Sequence, residues 1–391
     1  QARNFMEKLN IGLFIDTWFP MVDGVINVVD NYAKRLCKFA NVTVFAPNVG
    51  EFDRSKFPYK IVSCKSTKFL GLDYRLPLPK LDKNFKKEIK AANLDIIHIH
   101  SPFSIGKMAA SFGNKNKIPV AATFHSQFKQ DFMRATHSKF ISKILLKHIM
   151  KVFNSCDQCW AVNEEIGKVF KGYGYKGNPL VMKNGTDLTP VENPSKANNL
   201  VEDKFNISPT ETVFLFVGRI NKLKNILFIV DSLKILKDRG KAFKMLFVGS
   251  GQDENLLREY VKKQGLESDI IICGKIVDRE MIKSLYNRAK LFLFPSLYDA
   301  SSLVQIEAAS QKTPTVFLEG AVTAGTVTKD VNGFISENSP ALFAEKIVQI
   351  LDDEQYYQAV AQNAFKDLYV TWDEATEKAF EEYKKIIRRI I

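Results

Sequence analysis

Apolar residues along this chain fall into two alternating patterns. Short apolar-rich runs, each stopped by a polar or glycine-bearing turn, recur at 10–15, 42–46, 95–100 and 120–125, and again at 212–219, 244–251, 269–274, 291–294, 314–319 and 333–336. Runs of that length predict strands, and where the run is uninterrupted, as at 291–294, a strand buried on both faces of a parallel sheet. Between them, at 25–39, 138–154, 225–238 and 374–389, the pattern is helical. Strand followed by helix, repeated through both halves, predicts the α/β class with a doubly wound, Rossmann-like sheet in each half, although no internal sequence repeat is visible. The stretch 187–210, DLTPVENPSKANNLVEDKFNISPT, is polar and carries prolines at 190, 194 and 209, the composition of a domain boundary. The expected organisation is a first domain over 1–187, a linker over 188–210, a second domain over 211–371 and a terminal helical region over 372–391.

The densest chemistry lies in 291–307, LFLFPSLYDASSLVQIE. Pro295-Ser296 stops the strand, and Ser302 followed by Gln305 forms the capping box S-x-x-Q that opens a helix near Leu303. That order places the backbone N–H groups of Leu303 and Val304 at the carboxyl edge of a sheet, where open α/β folds bind phosphate. Asp299 and Glu307 bracket this anion site. Taken alone, the two acids read either as ligands for sugar hydroxyls or as a turn residue and a charge favoured by the helix dipole. A second strand runs into Gly218-Arg219 with Lys224 beyond it, a planar fork and a point charge suited to a pyrophosphate that gains charge as a bond breaks. The first strand leaves through Asp16-Thr17 toward Gly24, another loop and helix where a diphosphate could approach backbone N–H groups. G-x-G at 249–251 is a weak phosphate signal by itself. His98, His100 and His125 stand at strand ends, where histidines are either core or ligand contacts.

The D-x7-E spacing of Asp299 and Glu307 after F-P-S resembles the E-x7-E signature of glycosyltransferase family 4, retaining enzymes of the GT-B fold. Four more segments resemble that family in the same order: DTWFPMVDGV at 16–25, AATFHS at 121–126, VMKNGTD at 181–187 and GRINKLK at 218–224. The resemblance implies two Rossmann-like domains facing across a cleft, with the terminal helix crossing back to the first. It also implies hexose transfer from a nucleoside-diphosphate sugar, UDP- or GDP-linked, with no metal and no other cofactor. Arg219 and Lys224 would hold the donor diphosphate with Gly218, Ser302, Leu303 and Val304, while Asp299 and His125 would position the sugar. Glu307 would hold the ribose, the backbone of Gly274 to Ile276 the base, and Gly24 would let the first domain approach the donor. Three departures stand out: Asp299 replaces Glu, Ala300-Ser301-Ser302 replace Gly-Phe-Gly, and Leu223 replaces Glu. The shorter acid bears on donor-sugar identity, and the roles of His98 and His100 stay open between core and acceptor contact.

Charge then changes the picture of the partner. Residues 1–190 hold 29 Lys and Arg against 15 Asp and Glu, a balance of +14, whereas residues 191–391 hold 27 against 28. So basic a half expects an anionic surface, a lipid leaflet or nucleic acid. Within it Lys139, Lys143, Lys147 and Lys151 recur every four residues beside Phe140, Ile144, Leu145, Met150 and Phe153. Wound as a helix this is a lysine stripe beside an apolar face, which packs on its own domain or lies in an anionic headgroup layer. The basic stretch 54–90, with Phe57, Tyr59, Phe69 and Leu70 interleaved, has similar character. Aromatics elsewhere follow strand and helix patterns, so no base-stacking groove for nucleic acid is expected. No apolar run reaches the roughly 20 residues of a spanning helix, and the start lacks a signal-peptide core. Five cysteines, an odd number, suggest reduced thiols; Cys156 and Cys159 form a C-x-x-C without a second pair. The expectation is a cytoplasmic enzyme at the inner membrane face acting on a glycolipid or lipid-linked glycan. A soluble acceptor and a nucleotide-sugar epimerase of the same fold are the competing readings.

Overall fold

A computed structural model describes residues 8–21, 23–68, 75–300 and 303–390. The chain forms two compact units, one from 1–184 with 372–391 and one from 185–371.

The first unit is built on a seven-stranded parallel sheet in the spatial order Lys60–Cys64, Asn41–Pro47, Asn10–Phe14, Ile96–Ile99, Val120–Phe124, Gln158–Ala161, Leu180–Val181. The central strands are buried along their whole length, the two-sided burial that an uninterrupted apolar run demands. Register is fixed by pairs such as Leu13 with Val44 on one side and with His98 on the other. Helix Gly24–Leu36 starts where the Asp23 carboxylate accepts from the Val25 N–H at 2.7 Å. Helix Trp372–Ile390 belongs to this unit, burying Trp372, Ala375, Ala379, Tyr383 and Ile386 at helical spacing. It lies along helix Gly24–Leu36, with Asp373 ion-paired to Arg35 and Lys38 and Phe380 stacked on Phe39 at 5.3 Å.

The second unit holds a six-stranded parallel sheet in the order Ile270–Gly274, Lys244–Val248, Val213–Val217, Leu291–Leu293, Thr315–Leu318, Phe334–Ser336. One core runs through it, including Phe214, Phe216, Leu246, Phe292 and Phe317.

The expected linker is corrected here. Residues 194–205 form helix Pro194–Phe205, in which Asn193 caps by accepting from the Lys196 N–H and Pro194 occupies the first turn. A proline there costs nothing, because its missing N–H would have had no intrahelical acceptor. The helix packs on Arg279–Arg288 through an Arg288–Glu202 ion pair and an Asn287–Asn198 hydrogen bond, both within the second unit.

Candidate active site

In each sheet the chain reverses its winding beside the first strand, the place where open α/β sheets bind ligands. In the second unit that point lies between Val213–Val217 and Leu291–Leu293. The two loops that leave there are tied together: Asn225 Nδ2 donates to the Pro295 carbonyl at 3.3 Å and Ser296 Oγ to the Leu223 carbonyl at 3.4 Å. Asn221 caps the turn by accepting from the Lys224 N–H at 3.2 Å. These bonds aim Lys224 across the gap, where its ammonium forms an ion pair with Asp299, both side chains being mostly buried at 17% and 16% exposure. Arg219 is exposed on the same loop.

G-x-G at 249–251 has a packing role that its phosphate-like appearance conceals. A Cβ on Gly249 would sit 1.8 Å from the Gly218 carbonyl oxygen, and one on Gly251 2.2 Å from that of Ile220. Gly249 also adopts φ +140, and its N–H donates to Gly274 while Ile220 N–H donates to Ser250. Two glycines therefore let the loop carrying Arg219 lie directly on its neighbour.

Helix Leu303–Ser310 begins at the same edge, and its first N–H groups have no intrahelical acceptor. Glu307, just over a turn in, accepts from Arg279 at 3.0 Å and from the Tyr286 hydroxyl at 3.1 Å, and Arg279 also pairs with Asp187. Burial pushes the Glu307 carboxyl up from its ordinary value, opposed by the Arg279 charge. Each oxygen keeps a lone pair for a further donor. Gly274 has φ +69 and open space around it, and Ile276 packs on the core.

The first unit presents different chemistry at its own reversal point, between Asn10–Phe14 and Ile96–Ile99. Asp16 accepts from the N–H groups of Ile105 at 2.7 Å and Gly106 at 3.3 Å, and from Ser101 Oγ at 3.2 Å. Burial outweighs these bonds and raises its carboxyl to about 6. Beside it, His98 is satisfied on both nitrogens, by Tyr383 Oη at 2.6 Å and Thr123 Oγ1 at 2.7 Å, so it is a core histidine. His100 Nδ1 lies 3.1 Å from His125 Nε2 with the rings stacked, and His100 Nε2 is buried with no hydrogen-bond partner among the described residues. Burial lowers all three imidazoles, His125 to about 3. They are neutral donors and acceptors at physiological pH. Gly24 opens its helix with nothing within 4 Å of where a Cβ would stand.

Family models fit both halves: Glycosyltransferase Family 4 over residues 22–189 and Glycosyl transferases group 1 over residues 199–367. The chain belongs to glycosyltransferase family 4. Among its relatives, the alpha-monoglucosyldiacylglycerol synthase of Streptococcus pneumoniae is 27% identical over 79% of this chain and 70% of that protein. The synthase of the same name from Acholeplasma laidlawii is 23% identical over 91% of this chain and 92% of that one. HepE from Anabaena, solved in complex with UDP and glucose, superposes with a TM-score of 0.76 at 17% identity, covering 96% of this chain and 99% of that one. The protein is thus a glycosyltransferase of GT-B fold that acts on nucleotide sugars.

Within this glycosyltransferase, Lys224, Asp299, Glu307, Leu303 and Val304 gather at one edge of the second sheet together with Gly218 and Arg219. Ser302, the expected cap, lies outside the described residues. Arg279, Tyr286 and Asp187 around Glu307, and Asp16 and Tyr383 in the first unit, escaped the sequence reading. Asp16 and Asp187 had a signal, standing first in DTWFPMVDGV and last in VMKNGTD. Cys156 and Cys159 are free thiols, both bonded to carbonyls at the end of helix Lys139–Phe153. Among the described residues no group of His, Cys, Asp and Glu is arranged to hold a metal ion, and no helix is long and apolar enough to cross a membrane.

Proposed function

We propose that this enzyme transfers a hexose from a UDP-sugar, with retention at the anomeric carbon, to a lipid acceptor at the cytoplasmic face of the membrane. The observation that carries the donor reading is the Lys224–Asp299 pair beside the start of helix Leu303–Ser310: a cation, an acid and a helix N-terminus converge at one sheet edge. Arg219, Lys224 and the N–H groups of Leu303 and Val304 bind the diphosphate and stabilise it as it departs. They supply the positive charge without a metal. Asp299 and His125 orient the sugar, Glu307 accepts from the ribose, and the backbone of Gly218, Gly274, Ile276 and Gly24 borders the nucleotide. As the anomeric C–O bond to phosphate breaks, the leaving phosphate oxygen takes the acceptor hydroxyl proton, and the new C–O bond forms on the same face.

UDP is favoured because HepE was solved with it, and the lipid acceptor because the two relatives are named for a glucosyldiacylglycerol product. The basic first half supports a membrane-side acceptor. None of Lys139, Lys143, Lys147 and Lys151 is in an ion pair among the described residues, and Phe140, Ile141 and Ile144 on the same helix are exposed. Each lysine near an anionic leaflet contributes on the order of 1 kcal/mol. The test is nucleotide release from UDP- and GDP-sugars with diacylglycerol vesicles. Acceptor-dependent UDP release is expected. GDP release, or turnover only with a soluble acceptor, would overturn the corresponding half of the proposal.

A further inference from the structure

Helices Ser104–Asn116 and Lys139–Phe153 of the first unit flank a cavity of about 310 Å³ whose polar lining is Lys107, Ser111, Asn114, His148, Lys151 and Ser155. No carboxylate lines it. Lys107 Nζ lies 2.8 Å from His148 Nε2, and Asn114 Nδ2 donates to the Ser155 carbonyl at 3.1 Å, each pair 41 positions apart. A constant offset means that the two helices run parallel and in register, so their N-terminal ends share one end of the cavity. At that end Phe103, Phe140 and Ile144 are exposed by 41%, 73% and 52%.

Helical spacing orders the rest. Phe103, Lys107, Ser111 and Asn114 follow one another at i, i+4, i+8 and i+11, and so do Phe140, Ile144, His148 and Lys151. Each helix thus carries an apolar end that passes into a polar, cationic stripe, and the stripes face each other across the cavity. The whole has the polarity of a lipid: a seat for an anionic head and a ledge for chains.

We propose that this groove seats the phosphate of one anionic glycerophospholipid drawn from the leaflet. Lys107 and Lys151 meet its charge, Ser111 and Asn114 donate to its oxygens, and its acyl chains leave over Phe103, Phe140 and Ile144. The groove rests on the membrane-side reading above and adds to it a defined site with a defined ligand, where a lysine stripe alone gives only a field.

The test compares flotation of the full chain with phosphatidylcholine vesicles, the same vesicles carrying phosphatidylglycerol, and the latter in excess inorganic phosphate. Two variants remove equal charge: Lys107→Ala/Lys151→Ala inside the groove and Lys143→Ala/Lys147→Ala outside it. Ser111→Glu, at an exposed position, adds a repelling charge should the first variant fold poorly. Specific seating predicts that the groove variant and Ser111→Glu lose about tenfold more affinity for phosphatidylglycerol vesicles than the outer variant, which loses only the general attraction of two lysines. Equal losses would overturn the groove and leave the membrane reading standing. No vesicle binding by the unaltered protein would overturn both. Complete competition by free phosphate would reassign the groove to a soluble anion.

Discussion

The two units share one strand order over six strands and differ in where charge is left unmatched. In the second, cations are matched: Lys224 with Asp299, Lys237 with Asp269, Lys241 with Asp352, Lys290 with Glu354. In the first, the lysines of helix Lys139–Phe153 are in no ion pair among the described residues, while the reversal point of the sheet holds uncharged imidazoles and a buried Asp16. Sheet order decides where each unit can bind, and charge decides what. Paired cations at a strand end can exchange a carboxylate for a diphosphate, whereas buried neutral histidines offer hydrogen bonds to uncharged hydroxyls.

The largest effect that could break this contrast is catalytic. Lys224→Ala and Glu307→Ala should each lower kcat by about a hundredfold or more, the scale of losing a donor aimed at developing charge, with the thermal midpoint little changed. Near-wild-type turnover in either would remove the second unit's claim to the diphosphate. Next comes the loop beneath Arg219. Gly249→Ala forces a methyl group into the Gly218 carbonyl and should destabilise the second unit by about 1–3 kcal/mol, read by urea unfolding.

Tyr383→Phe sharpens the comparison from the other side. It strips His98 of its 2.6 Å partner in the core and should cost the first unit about 1–3 kcal/mol while leaving turnover per folded molecule unchanged. Acid should act in the same unit. An imidazole whose native value is lowered, as at His125 to about 3, contributes stability that is full above its ordinary value near 6.5 and is lost as pH falls toward 3. Asp16, raised to about 6 from 3.8, works the other way and favours the native state at low pH. Three histidines against one acid predict a thermal midpoint that falls from pH 6.5 downward, with a shallower slope in His125→Asn. The smallest effect is at the surface: Lys234→Ala breaks an exposed i,i+4 pair with Asp238 and should shift stability by less than about 0.5 kcal/mol.

Much of this fold is visible in the chain because its strands are apolar runs cut off by Gly218-Arg219, Pro295-Ser296 or Asp16-Thr17. The same local reading failed at Pro194, where proline marks a helix start that Asn193 caps rather than a linker. At G-x-G 249–251, a weak phosphate signal in the sequence, the steric demand for glycine comes from carbonyls on another loop, which no local pattern shows. His98, His100 and His125 look alike in sequence; only Tyr383, 285 positions away, shows that His98 is core. Arg279 and Tyr286 could not be tied to Glu307 in advance, because that triad exists only once helix Arg279–Arg288 packs against helix Leu303–Ser310. Spacing within a motif is legible; partners from different elements are supplied by packing.

A crystal structure of the enzyme with UDP bears most directly on the central claim. The account predicts the diphosphate within hydrogen-bonding reach of Arg219, Lys224 and the N–H groups of Leu303 and Val304, with the ribose on Glu307. Nucleotide bound anywhere else, with these groups untouched, would contradict it.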